Sequence, residues 1–190
     1  LAASDEFFAE KENLLKPGRG ISASDRYTNR GERMDGGARR KRIPRLDSCI
    51  IKLVLSGIIR TVDIDTDYFR SNHPPFASMD GANPGSEIPV DDLANNASLW
   101  MEILPESELN PGSQNIFEIA STKHWTHVRL NIDPQGGVAR LRVYGIVIPD
   151  WSKYQANDLV DLAAVENGGV VIDTSDIFFG SGPNLIMPGP

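Results

Sequence analysis

His127-Val128-Arg129-Leu130-Asn131-Ile132, then Asp133-Pro134-Gln135-Gly136-Gly137, then Val138-Ala139-Arg140-Leu141-Arg142-Val143-Tyr144-Gly145 is the stretch that decides the fold. Two alternating runs flank a set of turn residues, the pattern of a β-hairpin. Successive side chains on a strand point to opposite faces. Val128, Leu130 and Ile132 therefore form one row, and His127, Arg129 and Asn131 the other. In the second run Ala139, Leu141 and Val143 form the apolar row, and Arg140, Arg142 and Tyr144 the polar row. Burial of both apolar rows on one face sets Ile132 beside Ala139, Leu130 beside Leu141 and Val128 beside Val143. That register puts Arg129 opposite Arg142. Like charges facing each other across a ladder are destabilising unless an anion joins them, a carboxylate from the next strand or a ligand.

Working outward, further strand signals precede the hairpin. Cys49 to Leu55 is an apolar run broken by Lys52, and Ile59 to Thr66 alternates, with Val62 and Ile64 against Thr61, Asp63 and Asp65. Phe76 to Met79, Leu99 to Leu104 and Asn115 to Ala120 read as short strands. The last two are joined by a turn region from Pro105 to Ser113, and a Pro, Gly and Asp-rich loop runs from Asn83 to Asn96. Asp25 to Arg45 reads as a basic loop around Met34-Asp35-Gly36-Gly37, holding eight of the nineteen Lys and Arg residues. After the hairpin, Asp158 to Glu166 reads as a short helix with Leu159, Leu162 and Val165 on one face, stopped by Asn167-Gly168-Gly169. Many short strands with Gly and Pro turns predict an all-β antiparallel sandwich.

One frame recurs. Ser4, Asp5, Phe7, Phe8, Asn13, Leu14, Pro17 and Gly18 return as Ser175, Asp176, Phe178, Phe179, Asn184, Leu185, Pro188 and Gly189, at a constant spacing of 171 residues, as from Asp5 to Asp176. A match of that length at fixed register predicts a tandem duplication with a whole domain as its period. Residues 1–150 are then a first copy, 151–169 a linker with a short helix, and 170–190 the truncated start of a second copy. The chain, which begins at Leu1 rather than Met, is expected to be a fragment of something roughly twice as long.

Composition narrows the function. The 190 residues are 40% hydrophobic, enough for one sizeable core, and 26 Asp plus Glu against 19 Lys plus Arg give a net charge of −7. An acidic chain disfavours a general nucleic-acid or anionic-membrane binder. The single cysteine, Cys49, allows neither an internal disulfide nor a thiolate zinc site, and suits an intracellular, cytoplasmic setting in the sense of a reducing compartment. No apolar run approaches a membrane span.

Ser4 to Gly18, Met34 to Pro44, Val62-Asp63-Ile64-Asp65-Thr66 with Phe69 and Pro74-Pro75, Leu104-Pro105, Thr126 to Gly145, and Asp161 to Gly169 cover most of the chain, and together these stretches resemble the allantoicase family. The sequence departs from the family pattern at Asp133, where an aromatic is usual, at Gln135, where Asp is usual, and at Gly37, where Trp is usual. The resemblance implies a galactose-binding-like jelly roll, present twice in the full-length chain. It also implies hydrolysis of allantoate to ureidoglycolate and urea in purine catabolism.

That chemistry needs cations to fix the substrate carboxylate, an acid for the departing urea nitrogen and a base for water. The candidates for the clamp are Arg39 and Arg40 in the Gly-rich loop and Arg129 and Arg142 on the hairpin. For acid and base work they are His127, Asp35 and Asp65. Each has a plainer reading. The basic loop is also what a solvated surface looks like. The hairpin arginines also suit neutralisation by Asp63, Asp65 or Glu102 on adjacent strands, and a lone His on a strand is often structural. His73, His124 and His127 lack the close spacing of a metal site, so no metal and no cofactor are expected. The expected partners are allantoate and the second repeat, with homo-oligomerisation left open. A non-catalytic ligand-binding or assembly module is the alternative function.

Overall fold

The computed structural model describes residues 2–3, 11–16, 18–19, 22–28, 31–34, 47–86, 88–133, 136–175 and 182–187. Nine strands dominate it: β1 (Ala2–Ala3), β2 (Ser22–Thr28), β3 (Gly31–Met34), β4 (Asp47–Asp65), β5 (Phe76–Ala82), β6 (Met101–Glu108), β7 (Gln114–Glu118), β8 (Trp125–Asp133) and β9 (Arg140–Val147). One short helix, α1 (Val90–Asn95), and five 3-10 turns complete the described residues. Every strand pair is antiparallel.

The axis of the fold is β4. The two runs expected from Cys49 and Ile59 are one strand of 19 residues. Its first part, Asp47 to Lys52, lies between β1 and β8, and β8 continues to β5 and β6. Its second part, up to Asp65, lies between β7 and β9. The ladder to β8 breaks between Lys52 and Gly57. At Gly57 a Cβ would stand 2.5 Å from the Ile146 carbonyl oxygen, so only glycine admits the close approach of β9 there.

Two sheets result, β1-β4-β8-β5-β6 and β7-β4-β9, sharing β4. Their apolar rows meet in one core: Ile59, Val62, Ile64 and Leu141 from the smaller sheet pack with Ala77, Met79, Leu104, Trp125, Val128 and Leu130 from the larger. This is the antiparallel β-sandwich of a jelly roll, as the alternation predicts. A smaller cluster lies on the outer face of the larger sheet, where Leu93 of α1 covers Ile50 and Ala82 with Ile88, Leu99 and Trp100 around it.

Five expectations are corrected. The runs on either side of Gly136-Gly137 do not pair with each other. β8 pairs with β4 and β5, and β9 with the other part of β4, so the turn carries the chain from one sheet to the other. Arg129 therefore faces Ile50 and Asp80, Arg142 faces Asp63, and the predicted clash of the two arginines does not arise. No helix forms from Asp158 to Glu166. Leu159 and Leu162 are exposed, Asn157 has φ of 76°, and the Asp161 carboxylate accepts from the Ala163 and Ala164 amides, holding a local turn that ends in a 3-10 turn at Val165–Asn167. Part of the basic loop is the strand pair β2–β3, and the loop after Asn83 contains α1. β6 runs through Pro105, on the sheet edge where the missing N–H is tolerated.

Candidate functional site

Because the apolar rows share one core, the polar rows point out of the sandwich on opposite faces. Of the seven residues singled out from sequence, Asp35, Arg39 and Arg40 lie outside the described residues. The other four divide into two pairs. His127 and Arg129 stand on the larger sheet, and Asp65 and Arg142 on the smaller. Packed sheets are about 10 Å apart, and both rows project away from each other, so the two pairs cannot close on one small substrate within this sandwich.

On the larger sheet, Arg129 is engaged. Its Nε and Nη2 both donate to Asp80 Oδ2 at 2.9 Å, Asn131 Nδ2 donates to the same oxygen at 2.8 Å, and the Trp100 ring lies 4.6 Å from the guanidinium carbon. Trp100 is itself fixed by its indole N–H to the Leu93 carbonyl at 2.9 Å. This guanidinium is paired on one side and stacked on the other. His127 sits two residues away, beside Lys52 and Ala82, with Nδ1 2.9 Å from Thr126 Oγ1. Burial, and then the charge of Lys52, push the imidazole below its usual range, so it is a neutral base at neutral pH rather than an acid.

Charge is denser on the smaller sheet. Asp63 and Asp65 share one face of β4, opposite Arg142 and Arg140 of β9. Asp65 is buried and takes both Nε and Nη2 of Arg19, at 3.1 and 3.0 Å, together with the Asp67 amide at 2.9 Å. Asp63 accepts from Gln114 Nε2 at 2.7 Å through Oδ2, while its buried Oδ1 has no hydrogen-bond partner among the described residues. Burial raises the Asp63 carboxyl above the ordinary range and Asp65 adds to the rise, against the opposing pulls of Gln114 and Arg142. Arg140 is almost fully buried and donates to the carbonyls of Ala139 and Arg19. Arg142 spends all four Nη hydrogens on carbonyls: Leu14 at 3.2 Å and Leu141 at 3.0 Å from Nη1, Gly18 at 2.7 Å and Lys16 from Nη2. Rather than presenting an open fork, it clasps the segment from Leu14 to Gly18.

Sequence reasoning named Asp65 but passed over Asp63 as a site residue, and missed Arg19 and Asp80. The i, i+2 spacing of Asp63 and Asp65 was the available signal, since it places both on one face. The partner of Arg129 turned out to be Asp80, not Glu102, because Asp80 stands directly across from it on β5. Among the described residues, no group of three or more His, Cys, Asp or Glu could hold a metal ion. A cleft of ≈ 290 Å³ lies apart from both faces, between Val54–Ser56, Val147–Ile148 and the residues Asp150, Tyr154, Glu166 and Asn167. No described helix is long and apolar enough to cross a membrane.

Fold and faces together define a jelly-roll β-sandwich domain with a carboxylate and guanidinium cluster on its smaller sheet. Residues 1–148 match the family model of the allantoicase repeat. The chain is 42% identical over 190 residues to a probable allantoicase of Burkholderia mallei, covering 100% of this chain and 55% of that one. To the allantoicase of Dictyostelium discoideum it is 41% identical over 189 residues, covering 100% and 51%. Among solved structures, the allantoicase of Saccharomyces cerevisiae superposes with a TM-score of 0.78 at 34% identity, over 99% of this chain and 55% of that one. The chain belongs to the allantoicase family. It spans about half the length of the curated relatives it matches.

Proposed function

We propose that the full-length protein is an allantoicase, hydrolysing allantoate to ureidoglycolate and urea. The observation that carries this reading is the Asp63 and Asp65 pair on the β4 face, in a chain of this family. Two adjacent carboxyl groups with different surroundings suit an acid and a base. In the reaction the bond from the central carbon to one ureido nitrogen breaks and that nitrogen takes up a proton. Water adds its oxygen to the carbon and gives its proton to the base. Asp63, which burial keeps protonated to higher pH, suits the first proton, and Asp65 the second once its half-exposed partner Arg19 turns from it toward the substrate.

Arg129 and Arg142 are occupied by protein groups, so the substrate carboxylate is assigned to Arg39 and Arg40, with Asp35, close to them in sequence, as a further candidate for acid and base work. Arg142 contributes by fixing the segment from Leu14 to Gly18. His127 and Arg129, on the opposite face, would serve only a site completed from outside this sandwich. The partners in this reading are allantoate and the second repeat, in an intracellular setting suited to one buried cysteine, Cys49. Urea release from allantoate by the full-length protein tests the proposal. Turnover that falls in Asp65→Asn and in Arg39→Glu supports it, and a folded wild-type protein with no turnover above background overturns it.

One observation favours a second reading. With the guanidinium groups of Arg129 and Arg142 committed to internal partners, the described faces also suit a binding module without turnover. Calorimetric binding of allantoate in the absence of urea release would select it.

A further inference from the structure

The turn that follows β4 holds a tyrosine in a backbone conformation that tyrosine does not favour. Tyr68 has φ of 66°, in the left-handed region, where a Cβ crowds the following carbonyl oxygen. Among the described residues the other non-glycine case is Asn157, and Asn tolerates that region better than a bulky side chain does. Both ends of the turn are pinned, which keeps the strain in place. The Phe69 amide donates to the Thr66 carbonyl at 2.9 Å, closing a β-turn with Asp67 and Tyr68 at its centre. Glycine is the usual residue where the second central position has positive φ. Thr66 is fully buried, and its hydroxyl donates to the Asn110 carbonyl at 2.7 Å and accepts from the Ser113 amide at 3.1 Å. Phe69 is buried with its ring against Gly137.

The Tyr68 side chain returns little to the fold for this strain. It is 55% exposed, and its hydroxyl has no hydrogen-bond partner among the described residues. Its neighbours in the turn belong to the charged cluster of the smaller sheet. The Asp67 amide donates to Asp65 Oδ1 at 2.9 Å, and the Asp67 carboxylate lies 3.5 Å from Nε of Arg19, which is forked onto Asp65. The turn is thus tied to the Asp65 and Arg19 pair through the residue next to Tyr68. Strain that a glycine would relieve, on a half-exposed ring beside such a cluster, points to a side chain that serves something outside the fold.

We infer that the Tyr68 ring is a substrate contact of the Asp63 and Asp65 site, receiving a planar ureido group against its face. The inference rests on the reading of that site under the proposed function, and adds the residue that holds the substrate beside the two carboxyl groups. A ureido group is flat, with its N–H and carbonyl groups at its edges. A ring face packs against the flat side and leaves those edges open to the carboxyl groups. Tyr68 then contributes binding, while Asp63 and Asp65 carry the proton transfers.

Kinetics and melting of the full-length protein test it together. Tyr68→Gly removes the ring and the strain, Tyr68→Ala removes the ring alone, and Tyr68→Phe keeps both. In Tyr68→Gly and Tyr68→Ala the KM for allantoate is expected to rise at least about 10-fold with kcat within about 3-fold of the parent, the mark of lost substrate binding. Tyr68→Phe should keep KM within about 3-fold of the parent. Tyr68→Gly should melt no lower than the parent and above Tyr68→Ala, because glycine adopts positive φ without strain. A parental KM in Tyr68→Gly overturns the inference. So does a Tyr68→Gly that melts well below the parent, which assigns the ring to packing within the full-length chain. Asp65→Asn tells the two failures apart. If it loses turnover while Tyr68→Gly keeps a parental KM, the site stands and the contact is wrong. If it keeps turnover, the reading of the site fails and the contact falls with it.

Discussion

Arg142 lies directly across the ladder from Asp63, yet its guanidinium donates to the carbonyls of Leu14, Lys16 and Gly18. A residue first noticed as a candidate for binding an anion is thus the fastener of the N-terminal segment. Three carbonyls on an irregular stretch are satisfied by one planar cation, a geometry that the single-point ammonium of lysine does not reproduce.

Arg142→Ala is accordingly expected to lower stability by about 1.5–3 kcal/mol, the range for hydrogen bonds to a charged donor. Arg142→Lys should recover only part of the loss. Urea unfolding measures the change, and hydrogen exchange should localise it to residues 11–19. A variant with unaltered exchange there would show that the clasp contributes nothing.

On the other face, Asp80→Ala removes the carboxylate that Arg129 and Asn131 share and leaves a guanidinium whose side chain is only 22% exposed without its counter-charge. A loss of about 1–3 kcal/mol is expected. In a double-mutant cycle, Arg129→Met should remove most of the effect of the second substitution, since the two residues interact directly. Additive losses would argue against the pair.

Asp63 gives the protein a pH signature. Burial raises its carboxyl above the ordinary value of 3.8. As pH climbs past that value the unfolded chain loses its proton before the folded one does. The contribution of Asp63 therefore favours folding at low pH and is lost as pH rises through the folded pKa. Asp63→Asn, which still accepts from Gln114, should unfold at a higher temperature than the parent at pH 7, and the gain should vanish below about pH 3.8. In the proposed reaction the same variant should lose turnover. A variant that gains stability and keeps full activity would remove Asp63 from the chemistry.

Gly137 stands where the chain leaves one sheet for the other. A Cβ there would fall 2.0 Å from the Phe69 ring, which is buried and has no room to retreat. Gly137→Ala should cost about 1–3 kcal/mol through overpacking. Paired with Phe69→Leu, which makes space, the penalty of the glycine substitution should shrink. Thermal melts of the four combinations provide the measurement.

Much of the fold was legible because period-two alternation survives whatever the partner strand is. Val62 and Ile64, and Val128 and Leu130, are buried in the rows that the sequence marks out. What alternation cannot encode is which strand lies alongside. β8 and β9 flank a glycine turn and still pair elsewhere, because their apolar rows belong to different sheets. The Arg129 and Arg142 conflict in the hairpin register was the available warning. The helix expected over Asp158 to Glu166 failed for a different reason. Its Leu159 and Leu162 have the right spacing but no core to cover, and the Asp161 side chain supplies competing hydrogen bonds. Of the site, the sequence exposed the charged residues but not their commitments. Arg129 is taken by Asp80, 49 positions away, and Asp65 by Arg19, 46 positions away, pairings that only the folded topology creates.

One strand, β4, holds β1, β7, β8 and β9 together, and so belongs to both layers at once. The two layers then have no independent existence. Loss of β4 from one removes the central member of the other, so the sandwich must melt as a single cooperative unit. It must also assemble through contacts far apart along the chain, a topology that folds slowly.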